Sequence, residues 1–407
     1  MTVTFIHAAD VHLDHPFQGL SGLPEAIGAR VRRSTLSSWS RLVDFAVQHG
    51  ADFIVIAGDV FDHVGRGLRA EAFFRRELER LHERGIDVFI CHGNHDPLDS
   101  HWSGIQYGEN ARTFGPHPEV LRFEKPGRPT VHLYGFSYPT RHVTTNMLGG
   151  YTKAPGADYH IGVLHGSIKG DADHDVYAPF AVTDLLEKDF DYWALGHIHK
   201  RNVIHDDPPI VYPGSLQGLS AKETGEKGFY FVTMERGRVA KEFIPAGDVI
   251  WDEATIDLEG APNPDALLRA CLKEKEARRR SGAGVLLRVV LTGRSDLALD
   301  LMERADEYLE ALRDGEDERE DFVWITALED QTAPKYDRDK LAQGSHFLGD
   351  LIRLADERRP LADRLAPLYR HHQARRFLDP LGPEDEEAIW RAAEKWLLDS
   401  LLKNRDS

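Results

Sequence analysis

The first 245 residues carry short apolar runs that alternate with stretches of helical spacing. Residues 2–8, 53–57, 88–91, 131–134, 161–164, 192–195, 210–211 and 229–233 read as strands, several of them apolar throughout. Between them, 31–49 places Leu36, Trp39, Leu42, Val43 and Ala46 on one side of a helix, and 71–83 and 183–186 are helical too. A strand with no polar face must be covered on both sides, which helices packed on a sheet achieve. The pattern predicts a layered α/β domain over residues 1–245.

The rhythm changes after residue 250. Strands at 255–258, 285–291 and 322–327 alternate with helices at 265–277 and 297–312, which predicts a smaller α+β unit over 250–335. Its acidic stretch 314–321 reads as a solvated loop, and Arg278, Arg279 and Arg280 as a solvated helix end or a phosphate contact. Residues 340–407 read as helices, broken near Pro360 and again at Asp379-Pro380-Leu381-Gly382-Pro383. There Ile389, Trp390, Ala393, Trp396, Leu397 and Leu401 recur at helical spacing, as a face packed on the same chain or offered to a partner.

Charge adds a constraint. With 67 acidic and 50 basic side chains among 407 residues, the formal net charge is −17. That argues against indiscriminate attraction to nucleic acid but not against a nuclease, because cations bound to carboxylates reverse the local field where a phosphate sits. No uncharged apolar run is long enough to span a membrane, and the first residues lack the basic start and apolar core of a secretory signal. Two cysteines, Cys91 and Cys271, make no disulfide framework, so a reducing cytoplasm is expected. The 21 histidines stand out, since imidazole is the commonest metal ligand among side chains.

Five motifs fall at strand ends: Asp10-Val11-His12, Gly58-Asp59-Val60-Phe61-Asp62, Gly93-Asn94-His95-Asp96, His165-Gly166 and Gly196-His197-Ile198-His199. At the carboxyl ends of adjacent strands they would converge on the crevice where open α/β sheets place ligands. Alternate residues of an extended segment share a side, so both members of Asp-x-His or His-x-His can enter one pocket. Carboxylate and amide oxygens with imidazole nitrogens suit Mn, Fe, Zn or Co, and Asp59 is placed to bridge two ions. Arg30, Arg32, Arg33 and Arg41 cluster on the first helix, either as a solvated face or as a local attraction for phosphate. His15 and Tyr138 are candidates to approach a substrate, or ordinary loop and packing residues; Cys91 reads as buried and inert.

The ordered set resembles the calcineurin-like metallophosphoesterase superfamily. Ala9-Asp10-Val11-His12-Leu13-Asp14-His15-Pro16-Phe17, Tyr192 to Lys200, Tyr212-Pro213-Gly214-Ser215 and Glu223-Thr224-Gly225-Glu226-Lys227-Gly228 resemble its SbcD-type DNA repair exonucleases, in the YhaO-like bacterial branch. The resemblance implies a four-layer sandwich of two mixed β-sheets flanked by helices, with a smaller α+β capping domain and a helical C-terminal segment. It implies two divalent ions, Mn by family habit: Asp10, His12, Asp59 and His199 would hold one, and Asp59, Asn94, His165 and His197 the other. His95 would face the phosphate as a non-ligand, with Asp96 orienting it. Residues 250–335 would help select DNA ends, and 340–407 would dock an SbcC-type coiled-coil ATPase. Nucleases of this type often form homodimers. Many of them carry a histidine three residues after the bridging aspartate; here Asp62 stands there, with His63 beside it. A phosphodiesterase or phosphatase acting on a small molecule or phosphoprotein is the alternative, although the phosphatase Gly-Asp-x-Val-Asp-Arg-Gly pattern lacks its arginine here. A scaffold with a decayed site is disfavoured, because seven ligands and His95 are all present.

Overall fold

The computed structural model describes all residues except 18–19, 21, 63–66, 101–106, 171–175, 262, 296, 334, 358–360, 372–380 and 404–407. By contacts the chain divides into two units, residues 1–252 with 279–286 and 315–322, and residues 253–278 with 287–314 and 323–407.

The first unit contains β1 (Thr2–Ala8), α1 (Glu25–His49), β2 (Phe53–Ala57), α2 (Leu68–Glu83), β3 (Asp87–Cys91), β4 (Ala111–Thr113), β5 (Glu119–Phe123), β6 (Val131–Gly135), β7 (Tyr159–His165), α3 (Val182–Leu186), β8 (Tyr192–Gly196), β9 (Asn202–Asp206), β10 (Pro209–Tyr212), β11 (Gly228–Glu235) and β12 (Arg238–Pro245). These strands form two six-stranded mixed sheets, ordered β12-β11-β1-β2-β3-β4 and β5-β6-β7-β8-β10-β9. β1, β2, β3 and β4 run parallel, as do β6, β7, β8 and β10, whereas β11, β12, β5 and β9 join as antiparallel members.

Alternation along β2 explains the layering. Ile54 and Ile56 face α1 and α2 in a core with Trp39, Leu42, Phe74 and Leu78. Phe53, Val55 and Ala57 face the second sheet and meet Leu133, Ile161, Val163 and Tyr192. The outer face of the second sheet buries Tyr134, Trp193 and Leu195 with Leu185 of α3. Sheet packs on sheet through rings: Phe5 stacks on Phe53 at 5.0 Å and meets Tyr192 edge-on at 5.3 Å. The expected sandwich of two mixed sheets flanked by helices is therefore observed.

His7 adds a polar tie between the sheets. Its Nε2 lies 3.1 Å from the Leu195 carbonyl and its Nδ1 lies 3.0 Å from the Tyr192 hydroxyl. A carbonyl only accepts, so Nε2–H donates and Nδ1 accepts from Tyr192. Complete burial lowers the His7 pKa to about 3, the Leu195 bond opposing only weakly.

A three-stranded sheet, β13 (Val249–Asp257), β14 (Gly284–Thr292) and β15 (Val323–Asp330), accompanies α4 (Pro264–Ala277) and α5 (Ala298–Arg313). Asn263 caps α4 by accepting from the Ala266 N–H at 3.0 Å, with Pro264 at the first turn. The arginine triplet is structural where its partners are seen. Arg278 pairs with Glu274 at 2.5 Å, and Arg279 grips the buried Glu316 at 2.9 Å. Glu316 thus departs from the solvated loop expected for 314–321. The chain ends in α6 (Arg338–Ala342), α7 (Phe347–Asp356), α8 (Leu361–Arg370) and α9 (Pro383–Lys403). A small core of Leu348, Ile352 and Leu398 holds α7 to α9 and takes in Leu401, while Ile389, Trp396 and Leu397 of the expected stripe stay exposed. Among the described residues, no helix is long and apolar enough to cross a membrane.

Candidate metal centre

The five motifs leave five strands that the two sheets aim at one place. β1, β2 and β3 are parallel neighbours in the first sheet, and β7 and β8 are parallel neighbours in the second. Their carboxyl ends release Asp10 and His12, Asp59, Asn94 and His95, His165, and His197 and His199 in turn. Backbone bonds lace the loops together: Val11 and His12 N–H donate to the Asp59 carbonyl at 2.9 and 3.1 Å, and Leu13 N–H to that of Val60 at 3.0 Å.

Close approach demands glycine at these ends. A Cβ on Gly58 would sit 2.0 Å from His165 Nδ1, at a φ of +99°. One on Gly196 would lie 1.8 Å from the Ala57 carbonyl oxygen. The donors themselves are strained: Asp10, His12, Asp59 and His197 have φ values of 49°, 44°, 52° and 98°. Left-handed backbone at non-glycine residues costs on the order of 1–3 kcal/mol each and clusters at functional sites.

Several of these side chains come together. Asp10, His12 and His199 offer ligand atoms within 4.8 Å of one another, and so do Asp10, Asp59 and His165. The Nε2 atoms of His12 and His199 face each other at 3.2 Å, and His12 Nε2 lies 3.8 Å from Asp59 Oδ2. His165 donates from Nδ1 to the Ala57 carbonyl at 3.0 Å, which turns Nε2 toward Asp59 Oδ2 at 3.3 Å and Asn94 Oδ1 at 2.9 Å. His197 enters through its backbone N–H, which donates to Asp10 at 3.1 Å, and its ring lies 5.2 Å from that of His165. Outer contacts fix the rings: Glu223 accepts from His199 Nδ1 at 3.0 Å, and the Tyr138 hydroxyl donates to the His165 carbonyl at 2.8 Å.

The electrostatics fit a cation. Burial pushes Asp10 up to about 6 and His12 down to about 3. Burial also opposes charge on His165 and His199, yet Asp59 with Asp10, and Glu223 with Asp10, raise them to about 9. The carboxylates thus call for positive charge among these rings, which divalent ions would supply without protonating their ligands.

His95 differs from the ligand candidates in its contacts rather than in its exposure, which His199 nearly matches at 29%. Its side chain is 33% exposed, its backbone N–H donates to Asp59 Oδ1 at 2.9 Å, and its Nδ1 lies 3.3 Å from Asp62 Oδ1. The carboxylate that orients His95 is therefore Asp62, not Asp96 as expected. Asp96 is spent on the Val60, Phe61 and Gly93 N–H groups at 2.9, 3.3 and 2.9 Å and on His92 at 2.9 Å, so it ties the second motif to the third. Asp62 also accepts from His15 at 2.6 Å and lies 3.7 Å from the otherwise unbonded Nδ1 of His12. His63, the other candidate beside it, lies outside the described residues. Cys91 is buried, its thiol pushed well up by burial.

Sheets that direct carboxylates and imidazoles into one hydrolytic crevice define a metal-dependent phosphoesterase. Residues 3–201 match the calcineurin-like phosphoesterase family, and residues 251–333 match the middle domain of metallophosphoesterase YhaO. The chain belongs to the calcineurin-like metallophosphoesterases, in their YhaO branch. It is 41% identical over 396 residues, 96% of each chain, to the uncharacterized metallophosphoesterase YhaO of Bacillus subtilis. It is 24% identical over 313 residues to the DNA double-strand break repair protein Mre11 of Methanopyrus kandleri, covering 70% of this chain and 63% of that one. With Mre11 of Archaeoglobus fulgidus the identity is 27% over 244 residues, 54% of this chain and 52% of that one.

Proposed function

We propose that this phosphoesterase is a Mn-dependent DNA nuclease acting in DNA end processing or double-strand-break repair. The observation that carries the reading is the shared position of Asp59, between the His12–His199 pair and the His165–Asn94 pair. Similarity to Mre11 proteins supports DNA as the substrate. Asp10, His12, Asp59 and His199 would hold one divalent ion, and Asp59, Asn94, His165 and His197 the second; mixed oxygen and nitrogen donors suit Mn. Such a pair of ions, when bound, neutralises phosphate charge and acidifies water near neutral pH.

The protein's own groups do the rest. Burial opposes charge on His95, but Asp62 at its Nδ1 and the nearby Asp59 raise its pKa, so the protonated ring can pass its Nε2 proton to the leaving oxygen as water adds to phosphorus and the ester P–O bond breaks. His95 is open enough to meet a substrate, and its Nδ1 is turned to Asp62 rather than into the ligand cluster. Residues 250–335 would help choose DNA ends, residues 340–407 would dock a coiled-coil ATPase of the SbcC type, and the active form would be a homodimer.

Labelled linear duplex and single-stranded DNA, incubated with Mn, Mg or chelator beside bis-p-nitrophenyl phosphate, test the reading. Degradation of DNA that needs Mn is expected. Hydrolysis of the small ester with intact DNA would instead mean a phosphodiesterase for small molecules.

A further inference from the structure

Most arginines around α1 and α2 are committed. Arg30 and Arg41 both grip the buried Asp248, at 2.9 and 2.5 Å. Arg32 pairs with Glu25 at 2.6 Å, and Arg80 bridges Asp44 and Glu77 at 2.5 Å each. Arg33 and Arg69 are exceptions: both are exposed and, among the described residues, neither has a hydrogen-bonding or ionic partner.

These two line a groove of about 610 Å³ between α1 and α2, whose far end carries Arg76 stacked on Phe73 at 5.1 Å. They also line an adjoining hollow of about 680 Å³, bounded by His15 and Phe17 of the first-motif loop, where, among the described residues, Asp14 is the one acidic lining residue against Arg32, Arg33 and Arg69. His15 is bonded to Asp62, which contacts His95, so the trough starts beside the proposed catalytic group. In a chain of net charge −17, uncompensated guanidinium groups grouped along one trough mark a place built for an anion. Guanidinium forks match phosphate oxygens two at a time, and Phe17 lines the same hollow with a ring on which a base can stack.

We infer that the α1–α2 groove binds the phosphodiester backbone of a DNA strand whose scissile phosphate lies at the metal centre, Arg33 and Arg69 each neutralising one phosphate. The inference rests on the DNA reading above and adds the route of the strand.

The test is an Arg33→Ala/Arg69→Ala double variant of the full chain, with labelled DNA binding measured by anisotropy in chelator across a salt series. Each phosphate contact contributes about 0.9 to the log–log salt slope on duplex and about 0.7 on single strands. The variant should therefore lose about 1.8 or 1.4 from the slope, and about 60-fold or 25-fold in affinity at 0.1 M salt. Its Mn-dependent hydrolysis of bis-p-nitrophenyl phosphate should be unchanged, since neither arginine belongs to the metal centre. A variant that binds DNA with the wild-type slope and affinity overturns the groove and leaves the nuclease reading standing. A wild type that neither binds nor cuts DNA overturns the DNA reading and the groove with it.

Discussion

His7 makes acid sensitivity of the fold a calculable quantity. Its ring is fully buried between the sheets, with both nitrogens already engaged and only one of them donating. Protonation would put a second N–H against a tyrosine hydroxyl in a fully buried site, and burial lowers the pKa from 6.5 to about 3. The sign follows from linkage. Between those values the unfolded chain holds a proton that the folded chain refuses, so stability drops as pH falls. At about 1.4 kcal/mol per pH unit below the unfolded pKa, the loss between pH 7 and pH 5 is about 2 kcal/mol. Urea unfolding in excess chelator, for the wild type and His7→Gln at both pH values, isolates this share. The variant loses two hydrogen bonds at every pH, an offset that cancels in the double difference. The wild type should lose about 2 kcal/mol more than the variant over that interval. Parallel losses would refute the argument and mean that the sheet interface accommodates the imidazolium.

Other expectations concern the centre directly. Asp59→Ala should leave the folded protein with neither ion, read as metal content by elemental analysis after Mn loading and desalting. His95→Ala should keep its metal and lose turnover by about 10²–10⁴-fold, the usual scale for a general acid. Asp62→Asn should retain metal yet slow hydrolysis by about 10–100-fold, because His95 and His15 both lose their carboxylate; an unchanged rate would remove Asp62 from the mechanism. Gly58→Ala should cost about 2–5 kcal/mol in thermal unfolding, from left-handed strain and overpacking, and should dislodge His165.

Much of this was legible in the sequence because the chemistry sits where hydrophobic runs stop. β1, β2, β3, β7 and β8 are apolar on both faces and easily found, so Asp10, Asp59, Asn94, His165 and His197 could be placed without coordinates. Edge strands were missed. β9 is half exposed, and β12 alternates half-buried Val239, Lys241 and Phe243 with exposed neighbours, a weak signal beside a continuous apolar run. α1 begins at Glu25, six residues before the predicted 31, because Gly28 and a run of arginines mask the buried Ile27 and Val31. Asp96 was misassigned for a geometric reason. Adjacency in sequence turns two side chains apart, so the carboxylate beside His95 comes from Asp62 in another loop. Glu223 lies in the Glu223-Thr224-Gly225-Glu226-Lys227-Gly228 segment, but nothing local reveals that it grips His199 from 24 residues away.

The left-handed backbone at Asp10 and Asp59 also limits how such a centre can decay. Threonine, valine or isoleucine would be barred there by shape, whereas asparagine tolerates the same dihedral angles and keeps the loop intact. Drift would thus favour Asp→Asn, which deletes charge while preserving the crevice. The easiest descendant of this protein is one that keeps the shape of the crevice but has lost the charge that would hold its ions, and its gene would show only one or two letter changes.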